Sequence, residues 1–147
     1  MKQLKERGLR EILIVISDEL SGIEEAIKEE FPQADWQLCN LHFTKTILSK
    51  VRQRDRAEVA EDLKQIYKSK NQTEAKGKAE SFIQKWRSKY PKVAEKVKRR
   101  VENLTKFLKY PEAIKRYIYT NNMLERVIKE IRRRTKVIEV VWGEGSL

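Results

Sequence analysis

Five consecutive apolar residues, Ile12-Leu-Ile-Val-Ile16, run into Ser17 and Asp18. A run that short and that rich in β-branched side chains reads as a strand covered on both faces, the kind found in parallel or mixed sheets flanked by helices. In open α/β sheets the chemistry gathers at the carboxyl ends of the strands. Asp18 stands at that end. Its other reading is a turn or helix-capping residue after a strand, and this stretch alone leaves both open.

The first forty residues predict a strand–helix–strand unit. Residues 2–9 form a short helix ended by Gly8. Ser21-Gly-Ile-Glu24 has capping-box spacing, so Ser21 is expected to open a helix. Ile23, Ala26, Ile27 and Phe31 share one face of it, and Pro32 stops it. Asp35 to Cys39 alternates as a second strand, with Trp36 and Leu38 on one face and Gln37 and Cys39 on the other. The simplest arrangement is a right-handed parallel crossover.

From Leu41 the periodicity becomes helical. Leu41, Thr44, Leu48 and Val51 trace a stripe. Asp55 is placed to cap a helix whose Val59, Leu63, Ile66 and Tyr67 face inward. Asn71-Gln-Thr73 marks a turn. The next helix carries Ala75, Ala79, Phe82, Ile83 and Trp86 and breaks at Tyr90-Pro91. A further helix carries Val93, Val97, Val101, Leu104 and Leu108. Pro111 suits the first turn of a short helix with Ile114 and Ile118. Asn121 or Asn122 can cap a last helix with Leu124, Val127, Ile128 and Ile131 inside. Val137 to Trp142 reads as strand-like and is followed by a Gly-rich tail. The fold class is α/β, predominantly helical, in one domain of 147 residues.

Charge narrows the partners. Residues 1–50 hold 7 Lys/Arg and 9 Asp/Glu, whereas residues 51–147 hold 26 and 13. A Lys/Glu-rich solvated surface explains the charge content but not this sign imbalance, which favours a nucleic-acid partner. The strongest clusters are Lys96-Val-Lys98-Arg99-Arg100 and Arg132-Arg133-Arg134-Thr-Lys136. Both fall near helix C-terminal ends, where the helix dipole favours cations in any case. The single cysteine excludes an intrachain disulfide and suits a reducing interior. With no run of about 18 apolar residues and no signal-peptide core, a cytoplasmic, non-membrane protein is expected.

Two carboxylates are placed for metal chemistry. Asp18 ends a strand. Glu125 lies in Tyr119-Thr-Asn-Asn-Met-Leu-Glu125-Arg, early in the last helix. Converging carboxylates suit a hard ion such as Mg²⁺, but spacing does not show that these two meet. Cys39-Asn-Leu-His42 is half of a zinc pattern with no second pair in the chain. The favoured role for His42 is to hydrogen-bond the backbone and brace the strand-to-helix junction.

The order of these segments resembles the Mutator-type (IS256-family) transposases of bacteria and archaea. Ile14-Val-Ile-Ser-Asp18-Glu-Leu-Ser-Gly22 is similar to the family's second-aspartate segment. Phe31 to Phe43, with Cys39-x-x-His42, is similar to the segment after it. Tyr110-Pro111 through Asn122-Met-Leu-Glu125 resembles the stretch that holds the last catalytic acid, and Arg132 to Lys136 the basic segment beyond. The resemblance covers roughly residues 10–136.

It implies a partial RNase H-like core over 10–42, an all-helical insertion of about four helices over 43–118, and an acid-bearing helix over 119–136. Residues 137–147 form an atypical tail. Asp18 and Glu125 would be the second and third catalytic acids, each binding Mg²⁺ or Mn²⁺ for attack on DNA phosphodiesters. Cys39, His42 and Asn122 would be structural members of the motifs. Arg132, Arg133, Arg134, Lys136, Lys98, Arg99 and Arg100 would meet DNA.

Departures from the family pattern also carry expectations. The first acid belongs on a strand upstream of Ile12, and no residue in 1–10 can replace it. Glu19, Asn121 and Arg126 stand where Gly, Thr and Ser are usual. The chain is thus expected to be a truncated copy, not competent alone. The alternatives are a non-catalytic basic helical DNA- or RNA-binding module, or a structural remnant that self-associates as a homodimer or by strand exchange.

Overall fold

The strand–helix–strand order of the first forty residues is present in the computed structural model, which describes residues 1–118 and 126–134. After α1 (Lys2–Glu6) come β1 (Ile14–Ser17), α2 (Ile23–Glu30) and β2 (Asp35–Leu38). The strands pair in parallel, from Ile14 opposite Asp35 to Ser17 opposite Leu38. The ladder extends one residue at each end, through Asp35 N–H to the Leu13 carbonyl (3.1 Å) and Cys39 N–H to the Ser17 carbonyl (2.8 Å).

Next come α3 (Asn40–Leu48), α4 (Gln53–Tyr67), α5 (Gln72–Trp86), α6 (Pro91–Leu104), a 3₁₀ turn (Lys106–Lys109) and α7 (Glu112–Ile118). Residues 126–134 are helical. α5 packs against both α4 and α6, α3 against α4, and β2 against α6 and the 3₁₀ turn. The helices meet along stripes spaced three and four residues apart, as in α5, where Ala75, Ala79, Phe82 and Trp86 are buried. Burying a side chain the size of Leu63 or Phe82 contributes about 1.5–3 kcal/mol. Alanines at 60, 75, 79 and 94, all buried, keep the facing backbones close. Ile128 in 126–134 is buried against the same core. No helix among the described residues is long and apolar enough to cross a membrane.

Several local expectations are corrected. β1 is not fully covered: Ile16 within it is 43% exposed, and Leu13 just before it is 57% exposed. Ser21 does not cap α2; the N-cap is Gly22 at φ 75°, a left-handed conformation that glycine adopts without strain. Asp55 does not cap α4. It is buried in the first turn of α4 and accepts from Lys89 Nζ at 2.8 Å and from the Tyr90 hydroxyl, tying α4 to the α5–α6 turn. Asn71 is a true cap, accepting from Glu74 N–H at 2.9 Å, while Glu74 accepts from Lys70 N–H at 2.8 Å. Leu108 is buried in the 3₁₀ turn rather than in α6, whose α-helical run ends at Leu104.

Gln37 alternates onto the more polar face of β2, yet it is buried. Its Nε2 donates to the Leu38 and Leu104 carbonyls at 2.7 and 3.0 Å, and its Oε1 accepts from Phe107 N–H at 2.9 Å. At the start of β2, Asp35 accepts from the Tyr110 hydroxyl and pairs with Lys109 at 2.5 Å. Both ends of β2 are therefore anchored to the segment after α6.

Candidate functional site

The parallel register sets the site. Ser17 opposite Leu38 makes the next residues, Asp18 and Cys39, leave the sheet side by side at its carboxyl edge. Cys39 is the N-cap of α3, so His42 rises one helical turn above it. The Trp36 indole N–H donates to Ser17 Oγ at 2.9 Å and ties down the last residue of β1.

His42 Nδ1 lies 2.8 Å from Asp18 Oδ1 and 3.2 Å from Cys39 Sγ. The Asp18 and His42 side chains are about half exposed, at 48% and 54%. His42 thus meets two side chains at the strand-to-helix junction, where a hydrogen bond to the backbone was expected. The three potential ligand atoms of Asp18, Cys39 and His42 all lie within 4.8 Å of one another. They line a cleft of about 250 Å³ together with Glu19, Phe43, Lys45 and Lys96, among others.

Glu19 is the next acid along and is already engaged. Lys96 and Arg100, one turn apart on α6, pair with it at 2.5 and 2.7 Å. Burial pushes the Glu19 carboxyl up, but those two cations outweigh it and hold it below the usual carboxylate range. Arg100 also lies over the Trp36 ring (5.4 Å to centroid) and Lys96 over Phe43 (5.8 Å). Arg100 is therefore built into the fold, whereas Lys98 and Arg99 beside it are exposed.

In the second cluster, Arg132 donates to Glu61 at 2.8 Å, and Arg133 and Arg134 donate to Glu130 at 2.7 and 2.8 Å. All three arginines stay more than half exposed. Arg134 lines a second cleft of about 320 Å³ with Arg56 and Arg126 on its walls. Glu125, Asn122 and Lys136 lie outside the described residues.

Sequence reasoning missed Lys45, Lys96, Arg56 and Arg126 as cleft residues. The spacing of Lys96 and Arg100, four apart on a helix, was the one available signal that they act on a common partner.

Asp18 offers a half-exposed carboxylate at a strand end, facing a cleft with room for a hydrated ion. That suits a hard divalent cation, which binds through one or two carboxylates and keeps several waters.

Known proteins resemble this chain along its whole length. The family model described as "Transposase, Mutator family" matches residues 1–147. The transposase for insertion sequence element IS905 of Lactococcus lactis subsp. lactis is 35% identical over 147 residues, covering 100% of this chain and 37% of that protein. The transposase for ISRM5 of Rhizobium meliloti is 33% identical, covering 94% and 35%. That for IS406 of Burkholderia multivorans is 31% identical, covering 99% and 38%. The chain spans a little over a third of the length of the curated relatives it matches.

Proposed function

This chain belongs to the Mutator family of transposases, and we propose that it forms part of a DNA strand-cleaving and strand-transferring centre, with Asp18 and Glu125 as two of its metal-binding acids. On this reading residues 10–42 are part of an RNase H-like core, 43–118 its helical insertion, and 119–136 the segment that brings Glu125 to the site. The observation that supports it best is the placement of Asp18: a half-exposed carboxylate at the carboxyl edge of a parallel strand pair, over an open cleft.

Asp18 and Glu125 would hold Mg²⁺ or Mn²⁺, which when bound would supply an activated oxygen nucleophile and charge stabilisation at phosphate. The chain's own residues do the positioning. His42 donates from Nδ1 to Asp18 Oδ1 and holds that carboxylate in one orientation. Lys96 and Arg100 keep Glu19 turned away as an ion-paired partner, so it does not compete as a ligand. Lys45, exposed on the cleft wall, meets an incoming phosphate. Arg132, Arg133, Arg134, Lys136, Lys98 and Arg99 hold flanking backbone in a salt-dependent way.

The test is Mn²⁺-dependent nicking of supercoiled plasmid by the purified chain, alongside Asp18→Asn and Glu125→Gln. Nicking that each substitution abolishes would support both acids and would require a further acid from another residue or a second chain. Nicking that survives both would overturn the assignment of these acids. A wild-type chain that binds DNA with a steep salt dependence and never nicks it would favour the second reading, a non-catalytic DNA-binding module, to which the exposed Arg132–Arg134 cluster is equally suited.

A further inference from the structure

We propose that Asp18, Cys39 and His42 together form a binding site for a thiophilic divalent ion of the Zn²⁺ class. The sequence offers Cys39 and His42 as half of a zinc pattern and nothing to complete it. The fold supplies the third donor from β1, because the parallel register sets Asp18 beside Cys39.

The chemistry of the set is specific. It holds one sulfur, one imidazole nitrogen and one carboxylate oxygen, and three protein ligands with an open fourth position is a common zinc arrangement. A hard ion such as Mg²⁺ gains little from sulfur or imidazole, so this set selects against it. The distances fit a site closed by a hydrogen bond in place of an ion. Tetrahedral zinc at ordinary bond lengths holds neighbouring ligand atoms about 3.3–3.7 Å apart. Here the nitrogen stands 2.8 Å from the oxygen and 3.2 Å from the sulfur. Those two separations need to open by roughly half an ångström, the sulfur and the oxygen already lie within 4.8 Å of each other, and the Asp18 and His42 side chains, which can adjust, are half exposed.

On binding, the Cys39 thiol proton leaves to solvent and the imidazole exchanges its proton from Nδ1 to Nε2 through solvent, freeing Nδ1 as ligand. The cleft that these three donors line also carries Lys45 and Thr46, and a fourth ligand would come from water or solute in it. Asp18 is common to this donor set and to the carboxylate pair proposed above, so the two kinds of ion exclude one another there. That corollary rests on the transposase reading; the ion binding itself does not.

The experiment is a titration of the DNA-free chain with Co²⁺ as a spectroscopic stand-in for Zn²⁺, followed by Zn²⁺ displacement. A single Co²⁺ should bind with thiolate-to-cobalt charge-transfer absorption and intense visible bands of tetrahedral type, and Zn²⁺ should bleach both. Cys39→Ser should remove the charge-transfer band. His42→Ala and Asp18→Asn should each weaken binding by about 10- to 100-fold or more. Circular dichroism of each variant reports folding, and the exposed position of His42 makes His42→Ala the safest of the three. No bound Co²⁺, a spectrum without the thiolate band, or equal affinity in wild type and His42→Ala would overturn the proposal. None of these readouts involves DNA, so failure here leaves the transposase reading standing, and failure to nick DNA leaves this one standing.

Discussion

Gln37 Oε1 accepts the backbone N–H of Phe107 across a separation of 70 residues, at 2.9 Å in the interior of the protein. The same side chain donates to the Leu104 carbonyl at 3.0 Å. It fills the gap left where α6 ends and the 3₁₀ turn begins, satisfying backbone groups that helix ends leave without partners.

Replacing Gln37 with Leu keeps the volume and removes those partners. Each buried group left unsatisfied costs about 1–3 kcal/mol, so Gln37→Leu should destabilise the chain by roughly 2–4 kcal/mol. A urea unfolding midpoint unchanged from wild type would show that the Gln37 contacts do not hold β2 to the helices.

Stability should fall on acidification, through three carboxylates. Burial raises each of Glu19, Asp35 and Asp55, but their hydrogen-bonded lysine, arginine and tyrosine partners outweigh it, and all three end below their ordinary values of 4.5, 3.8 and 3.8. A folded-state value below the unfolded one means that the unfolded chain binds more protons. The stabilisation is then complete above about pH 5 and is lost as pH drops through the ordinary values toward the depressed ones. Urea midpoints measured from neutral pH down to about pH 3 should trace that fall. Asp55→Asn should be less stable near neutrality and show a shallower acid decline; an identical slope would exclude Asp55 as a contributor.

Glu19 neutralises Lys96 and Arg100 at the rim of the cleft. Glu19→Gln should release two cations toward solution. Double-stranded DNA should bind roughly 3- to 10-fold tighter at low salt, and the salt slope of log K should steepen by about 1–2. A slope unchanged from wild type would place those cations out of reach of DNA.

Leu13, just before β1, and Ile16 within it are exposed apolar residues, and β1 pairs only with β2 among the described residues. An open edge of this kind invites another strand. Leu13→Lys with Ile16→Lys should leave folding stability within about 0.5 kcal/mol, as for other exposed positions, and should lower the weight-average mass in sedimentation equilibrium if two chains pair there. An unchanged mass would assign self-association to another surface.

The elements were legible where local pattern determines them. The apolar run before Asp18 and the alternation of Trp36 and Leu38 give the strands, and three- and four-residue spacing gives α4, α5 and α6. What was not legible depends on partners far along the chain. Gln37 alternates with Trp36 and Leu38, so the pattern puts it on the opposite face from them, and only the fold brings Leu104 and Phe107 against it there. Asp55 sits where a cap belongs, and only the fold brings Lys89 and Tyr90 to it. Arg100 reads as a phosphate contact by composition, yet Glu19 lies 81 residues away in sequence and 2.7 Å away in space. Asp18 and the Cys39–His42 pair were each visible as single features. Their union depends on which residue of β1 lies opposite Leu38, and register across a crossover is not written in either strand alone.

The Gln37 clasp also has a consequence in time. The α4–α5 and α5–α6 pairs close short loops, while β2 must wait for the end of α6 to arrive, a search whose entropy cost grows with the chain enclosed. Pulse-labelled hydrogen exchange during refolding should find α5 amides protected before that of Phe107. A cleft whose floor is β2 then takes shape only after the helical stack exists, so a newly made chain would stand as a stable post of helices before it could hold an ion.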